Sequence, residues 1–139
     1  MIVDSLMRRA VVTAPASASV REAARLMQER RVGCVIATEG DAPVGIVTER
    51  DITGRVVAAG RDPDATTLRD VMSRPLATIE PAASVEEAAA RMKQLGVKRL
   101  VVVLGRELRG VVTVTDIAYA EPALNRSLIE GWVKSRWEG

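Results

Sequence analysis

Two threonine–aspartate pairs are the residues of this sequence best suited to chemistry. The stretch Gly45-Ile46-Val47-Thr48-Glu49-Arg50-Asp51 recurs as Gly110-Val111-Val112-Thr113-Val114-Thr115-Asp116, and an isoleucine follows each copy (Ile52, Ile117). A short apolar run ending in threonine and an acid predicts a strand running into a helix start. Thr48 and Thr113 are placed to cap that helix or to meet an anion at its first turn. Asp51 and Asp116 fall within the same turn, and each carboxylate points back toward that end.

Other reactive side chains are sparse. The chain has no histidine and one cysteine, Cys34. Ordinary zinc sites and histidine-based triads are therefore excluded, and an internal disulfide is impossible, which fits a reducing cytoplasm. Cys34, between Gly33 and Val35 at a strand start, reads as a buried, inert thiol. No Walker-type glycine loop is present. Twenty basic and eighteen acidic residues leave a net charge of +2, too even to argue for nucleic acid.

The elements that position the two motifs form a repeat. Ser19-Val20-Arg21-Glu22-Ala23-Ala24 matches Ser84-Val85-Glu86-Glu87-Ala88-Ala89 at an offset of 65 residues. The same offset relates Met7 to Met72, Thr13 to Thr78, Met27 to Met92, Val32 to Val97 and Asp51 to Asp116. A constant offset means a duplicated unit without net insertion. The expected division is 1–65, 66–121 and a tail, 122–139.

Each copy reads β-α-β-β-α. Short extended pieces at Val11 to Thr13 and Leu76 to Ile79 lie near Pro15, Pro75 and Pro81. Ser19 with Glu22, and Ser84 with Glu87, predict capping boxes. Val20, Ala23, Ala24 and Met27 share one helical face, as do Val85, Ala88, Ala89 and Met92. Gly33 and Gly96 are the expected helix-terminating glycines. Hairpins follow, Cys34–Thr38 with Val44–Thr48 and Leu100–Leu104 with Leu108–Thr113. A last helix spans Arg50 to Ala59 in the first copy and runs from Thr115 to a bend or stop near Pro122 in the second.

The core must be aliphatic, because there is no Phe, one Tyr and two Trp in a chain that is 47% apolar. No apolar run is long enough to span a membrane, and MIVDSLMRRA lacks a signal-peptide layout, so a cytoplasmic protein is expected. In the tail, Leu124, Leu128, Ile129, Trp132, Val133 and Trp137 make an apolar stripe at helical spacing, with Lys134 and Arg136 as solvated charges. That stripe is expected to pack on its own domain or across a homodimer.

The duplicated pattern, with glycine, two apolar residues, threonine and aspartate ending each hairpin and Ser-Val-x-Glu-Ala opening each helix, resembles the cystathionine-β-synthase (CBS) domain family over residues 1 to 121. The resemblance implies an α+β fold in which tandem repeats pack as a pseudo-two-fold pair, a Bateman module, with the C-terminal helix outside the pattern. It implies a regulatory sensor of adenosyl ligands (AMP, ADP, ATP, S-adenosylmethionine or related dinucleotides) in clefts between the repeats. It also implies a homodimer acting on an unknown regulated protein, with neither a catalytic nor a metal centre.

Under that resemblance, Asp51 and Asp116 take the ribose hydroxyls, since a carboxylate accepts from both together. Thr48 and Thr113, with the helix-start N–H groups, suit the α-phosphate or the adjoining ribose. Gly45 and Gly110 would let backbone approach the ligand, or mark a strand kink. The base would lie against Thr13-Ala14-Pro15 with Val35-Ile36, and against Thr78-Ile79-Glu80 with Leu100-Val101. No aromatic stacker is available there. Arg50, Lys98 and Arg99 are the candidate phosphate cations, and the copies differ most at these positions. An enzyme would need Glu22, Glu49 or Glu87 as base without histidine or metal, which counts against catalysis. A protein-docking or nucleic-acid scaffold using the tail is the competing function. The lack of basic clusters and of an aromatic platform counts against nucleic acid.

Overall fold

The structure, a computed structural model, describes residues 1–124 and 126–130. The chain forms two compact units, one of Ala10–Leu76 and one combining Met1–Arg9 with the chain from Ala77 onward. In the first, β1 (Thr13–Pro15), α1 (Val20–Arg30), β2 (Cys34–Glu39), β3 (Ala42–Thr48) and α2 (Glu49–Ile52) follow in order. A π-helical turn, Thr53–Val57, extends α2, and α3 (Leu68–Val71) ends the unit. The second unit opens on a 3-10 turn, Val3–Ser5. It continues with β4 (Thr78–Ile79), α4 (Val85–Leu95), β5 (Arg99–Leu104), β6 (Glu107–Thr113) and α5 (Val114–Ala120). Each unit therefore has the expected β-α-β-β-α order, and the fold is α+β.

Each sheet has three strands with the middle strand parallel to one neighbour and antiparallel to the other: β1-β2-β3 and β4-β5-β6. The helical stripes cover one face of these sheets. Val20, Ala23 and Met27 of α1 join Val35, Ala37 and Val47 in one aliphatic core. Val85, Ala88, Ala89 and Met92 of α4 join Leu100, Val102 and Val112 in the other.

Two features of the helix ends differ from expectation. Ser19 Oγ accepts from the Glu22 N–H at 3.1 Å, and Ser84 Oγ from the Glu87 N–H at 3.0 Å. Only this serine half of the predicted capping box forms; the full reciprocal box appears at Thr48 and Thr113 instead. Gly96 does end α4, with φ 67°, but α1 ends on Arg31 at φ 55°, not on Gly33. Arg31 lies 65 residues before Gly96, so it occupies the left-handed position that the second copy gives to glycine. A Cβ there costs about 1–2 kcal/mol. Arg31→Gly is therefore expected to stabilise the protein by about 0.5–1 kcal/mol once the extra chain entropy of glycine is offset. A urea midpoint no higher than wild type would overturn this.

The repeat pattern did not reveal two arms. Leu68, Val71 and Met72 lie in the core of the first unit, and Val3 and Met7 lie in that of the second. Each arm ends in a bridge to the last strand of its unit: Ser73 to Ile46 and Arg8 to Val111.

Helix α5 ends at Ala120 with Glu121 as its C-cap, so of the bend or stop expected near Pro122 the break comes just before the proline. Residues 122–124 and 126–130 are helical. Leu128 is fully buried in the core of the second unit, and Lys93 Nζ donates to Ser127 Oγ at 2.7 Å. Part of the tail stripe thus packs on its own domain, while Ile129 stays half-exposed. Trp132, Val133, Lys134, Arg136 and Trp137 lie outside the described residues. Among the described residues no helix is long and apolar enough to cross a membrane.

Candidate functional site

Both threonine–aspartate motifs fold into the same reciprocal cap. Asp51 Oδ2 accepts from the Thr48 N–H at 2.9 Å and from the Thr48 hydroxyl at 3.1 Å, and the Asp51 N–H returns a bond to Thr48 Oγ1 at 3.2 Å. At Asp116 the corresponding distances are 3.0, 2.9 and 3.2 Å. The motif spacing dictates this: the strand's last residue becomes the N-cap, and an acid three residues on reaches back to it.

These caps fix what each carboxylate can still do. A carboxylate oxygen accepts about two hydrogen bonds. Oδ2 already receives two, so Oδ1 is the oxygen left for a ligand. The threonine's single proton is engaged on Oδ2, so while the cap stands Thr48 and Thr113 can accept from a ligand but not donate to a phosphate. The Glu49 N–H is bound to Gly33 O and the Val114 N–H to Lys98 O, which engages a further helix-start donor in each unit. The arrangement therefore favours hydroxyl donors, such as those of a sugar, over anions. The Asp51 and Asp116 side chains are 12% and 11% exposed, shielded enough to strengthen a bond yet within reach.

Strand register gathers the other candidates. Thr13 pairs with Ile36, which pairs with Ile46; Thr78 pairs with Val101, which pairs with Val111. Side chains alternate along a strand, so Thr13, Ile36, Ile46 and Thr48 share the face opposite the helix-packed core. Thr78, Val101, Val111 and Thr113 do the same. From Thr13 to the cap is two strand spacings across, about 10 Å, and two residues along, about 7 Å. That diagonal suits a base at one end and a sugar at the other.

Other candidates lie elsewhere. Ala14, Ile79, Val35 and Leu100 belong to the cores, so toward a ligand Ala14 and Ile79 offer backbone only. Gly45 and Gly110 admit a close approach, but from the arms. A Cβ at Gly45 would overlap Met72 Sδ and stand 2.6 Å from its Cγ; one at Gly110 would stand 2.5 Å from Arg8 O. Thr78 and Ile79 also line a cavity of about 340 Å³ with Glu80, Glu87, Arg91 and Val103, at the hairpin-tip end of the second sheet and apart from Asp116.

The cations are distributed unequally. Arg50 is exposed on α2. Arg99 sits in register with Thr113, and Lys98 precedes it, whereas the first copy has Gly33 and Cys34 at those positions. Two further arginines, outside the motifs, lie near the carboxylates. Arg55, held on the π-helical turn, donates to Val71 O at 2.7 Å and lies 3.8 Å from Asp51 Oδ1. Its i,i+4 spacing from Asp51 was a usable signal. Arg8 Nε donates to Asp116 Oδ1 at 3.1 Å across 108 residues, for which the sequence holds no signal. Ile46 and Val111 were missed as well, although alternation from Thr48 and Thr113 places them on the site face. Among the described residues no cluster of His, Cys, Asp and Glu could hold a metal ion.

The comparisons with known proteins bear on the family of the chain. The family model described as CBS domain matches twice, over residues 3–58 and 68–122. An uncharacterized protein of Methanopyrus kandleri is 38% identical over 98% of this chain and 70% of its own length. A CBS domain-containing protein of Bacillus subtilis is 35% identical over 84% of this chain and 82% of its own. Among solved structures, a CBS domain protein from Pyrobaculum aerophilum complexed with AMP superposes with a TM-score of 0.80. It is 30% identical, covering 94% of this chain and 99% of that one. A duplicated sheet-and-helix unit, a reciprocal Thr–Asp cap in each copy and two family matches spanning them place this chain in the CBS domain family.

Proposed function

We propose that the protein is a non-catalytic regulatory module that binds an adenosine-bearing ligand, with Asp51 and Asp116 as ribose acceptors. The observation that carries the reading is the cap itself. In both units it saturates Oδ2 and leaves Oδ1 as the oxygen for a ligand. The AMP complex of the Pyrobaculum aerophilum relative supports the choice of an adenine nucleotide. The base would lie beside the half-buried Ile46 in the first unit, with backbone groups of Thr13-Ala14 and Thr78-Ile79 at its edge; Ile36, Val101 and Val111, exposed by 0%, 1% and 4%, offer it no open surface. Arg50 in the first unit, and Lys98 and Arg99 in the second, would meet the phosphates. The second site would then tolerate more phosphate charge than the first. Self-association into a homodimer, and a listening partner protein, belong to the same proposal.

The test is thermal denaturation with AMP, ADP, ATP and S-adenosylmethionine in turn. A ligand bound only by the folded state adds about 2.7 kcal/mol at a hundredfold excess over its dissociation constant. At least one of the four is expected to raise the melting midpoint by several degrees. No shift with any of them at millimolar concentration would overturn the reading.

A further inference from the structure

We propose that Arg8 is a tethered competitor for Asp116, so that the two aspartates are unequal ribose acceptors; this rests on the ribose reading above. Both arms bridge the last strand of their unit through the same backbone pair. Ser73 N donates to Ile46 O at 2.9 Å with the return bond at 3.3 Å; Arg8 N donates to Val111 O at 2.8 Å with the return bond at 3.0 Å. The residues at this position are a short neutral serine in one arm and an arginine in the other, 65 apart in sequence. The bridge delivers the Arg8 guanidinium to Asp116 Oδ1 at 3.1 Å. In the first unit the nearby arginine is Arg55, on the helix. Its close bond goes to Val71 O, leaving it 3.8 Å from Asp51 Oδ1, beyond hydrogen-bond distance. The position 65 residues on is Ala120, so α5 carries alanine where the first unit has this arginine.

Acceptor capacity then differs. Asp51 Oδ1 keeps both lone pairs for the two hydroxyls of a vicinal diol. Asp116 Oδ1 has given one to Arg8 and keeps one. A ribose is held by both hydroxyls at Asp116 only after Arg8 has left. The Arg8 side chain is 66% exposed, so it leaves into water readily, while Asp116 at 11% exposure gains from keeping a partner. Occupancy of the second site is thereby coupled to release of the N-terminal arm's side chain.

Adenosine is the probe, because without phosphate it gives the released guanidinium nothing new to bind. Its affinity is read by NMR titration of wild type, of D51A, in which the second site stands alone, and of D51A/R8M. Methionine keeps the stem of Arg8, and the backbone bridge needs no side chain. D51A/R8M is expected to bind adenosine about tenfold more tightly than D51A, the loss of one charged competitor. In D51A, either 2′-deoxyadenosine or 3′-deoxyadenosine should bind as well as adenosine; in D51A/R8M both should bind more weakly. In wild type, the Arg8 Nε–H resonance should move toward its solvent position as adenosine is added. Equal or weaker adenosine binding on removal of Arg8 overturns this inference alone, as does loss of binding from both variants while wild type binds. No binding to wild type or either variant removes the ribose reading itself.

Discussion

Gly110→Ala is expected to destabilise the protein by about 2–3 kcal/mol, the upper part of the range for forcing an extra methyl into packed structure. The new Cβ would stand 2.5 Å from Arg8 O, a backbone atom that accepts the Val111 N–H at 3.0 Å. Relief requires the arm to move off the strand, which gives up that bond and the burial of Val3 and Met7, exposed by 0% and 7% in place. Gly45→Ala meets a different obstacle, the Met72 side chain. Met72→Ala alone should cost about 2–5 kcal/mol through its cavity, but the Gly45→Ala/Met72→Ala pair should cost less than the sum by about 1–2 kcal/mol. Gly110→Ala with Met7→Ala should recover much less, because backbone cannot be truncated away. Denaturant melts of the four variants and the two pairs measure this. A Gly110→Ala protein as stable as wild type would mean that no arm lies against that strand.

Those glycines show where the sequence was readable and where it was not. The 65-residue offset exposed the duplication, and local periodicity placed the hairpins, the long helices and the capping threonines, since each signal lies within a few residues. The same offset paired Met7 with Met72 but could not say what either touches, because arm packing is non-local and leaves no periodic trace. From sequence, Gly45 and Gly110 suggest room for a ligand or a kink, whereas the close neighbours are methionine and arm backbone. A left-handed arginine breaks the rule that glycine ends helices, so only alignment with Gly96 points to Arg31. Asp51 and Asp116 were found by repetition. Which oxygen each has left, and that Arg8 competes for one, needed coordinates.

The capping role and the ligand role of Asp51 can be separated by two substitutions, with opposite expectations for stability and binding. Asp51→Ala removes both roles. Loss of the two bonds to Oδ2, the reciprocal half of the cap, should cost about 1 kcal/mol, and loss of two charge-assisted bonds of about 1.5–3 kcal/mol each should weaken AMP at the first site by more than a hundredfold. Asp51→Asn keeps an amide oxygen for the Thr48 N–H and hydroxyl, so the melting midpoint without ligand should stay near that of wild type. It replaces Oδ1 with an NH2 group, which cannot accept from ribose hydroxyls, so AMP should still weaken by about tenfold or more. Asp116→Ala should cost less affinity than Asp51→Ala, because Arg8 already occupies part of that oxygen. Calorimetric titration with AMP beside unliganded melts reads both quantities. If Asp51→Asn binds AMP as wild type does, Asp51 is a helix cap and nothing more, and the sugar must be held by other groups.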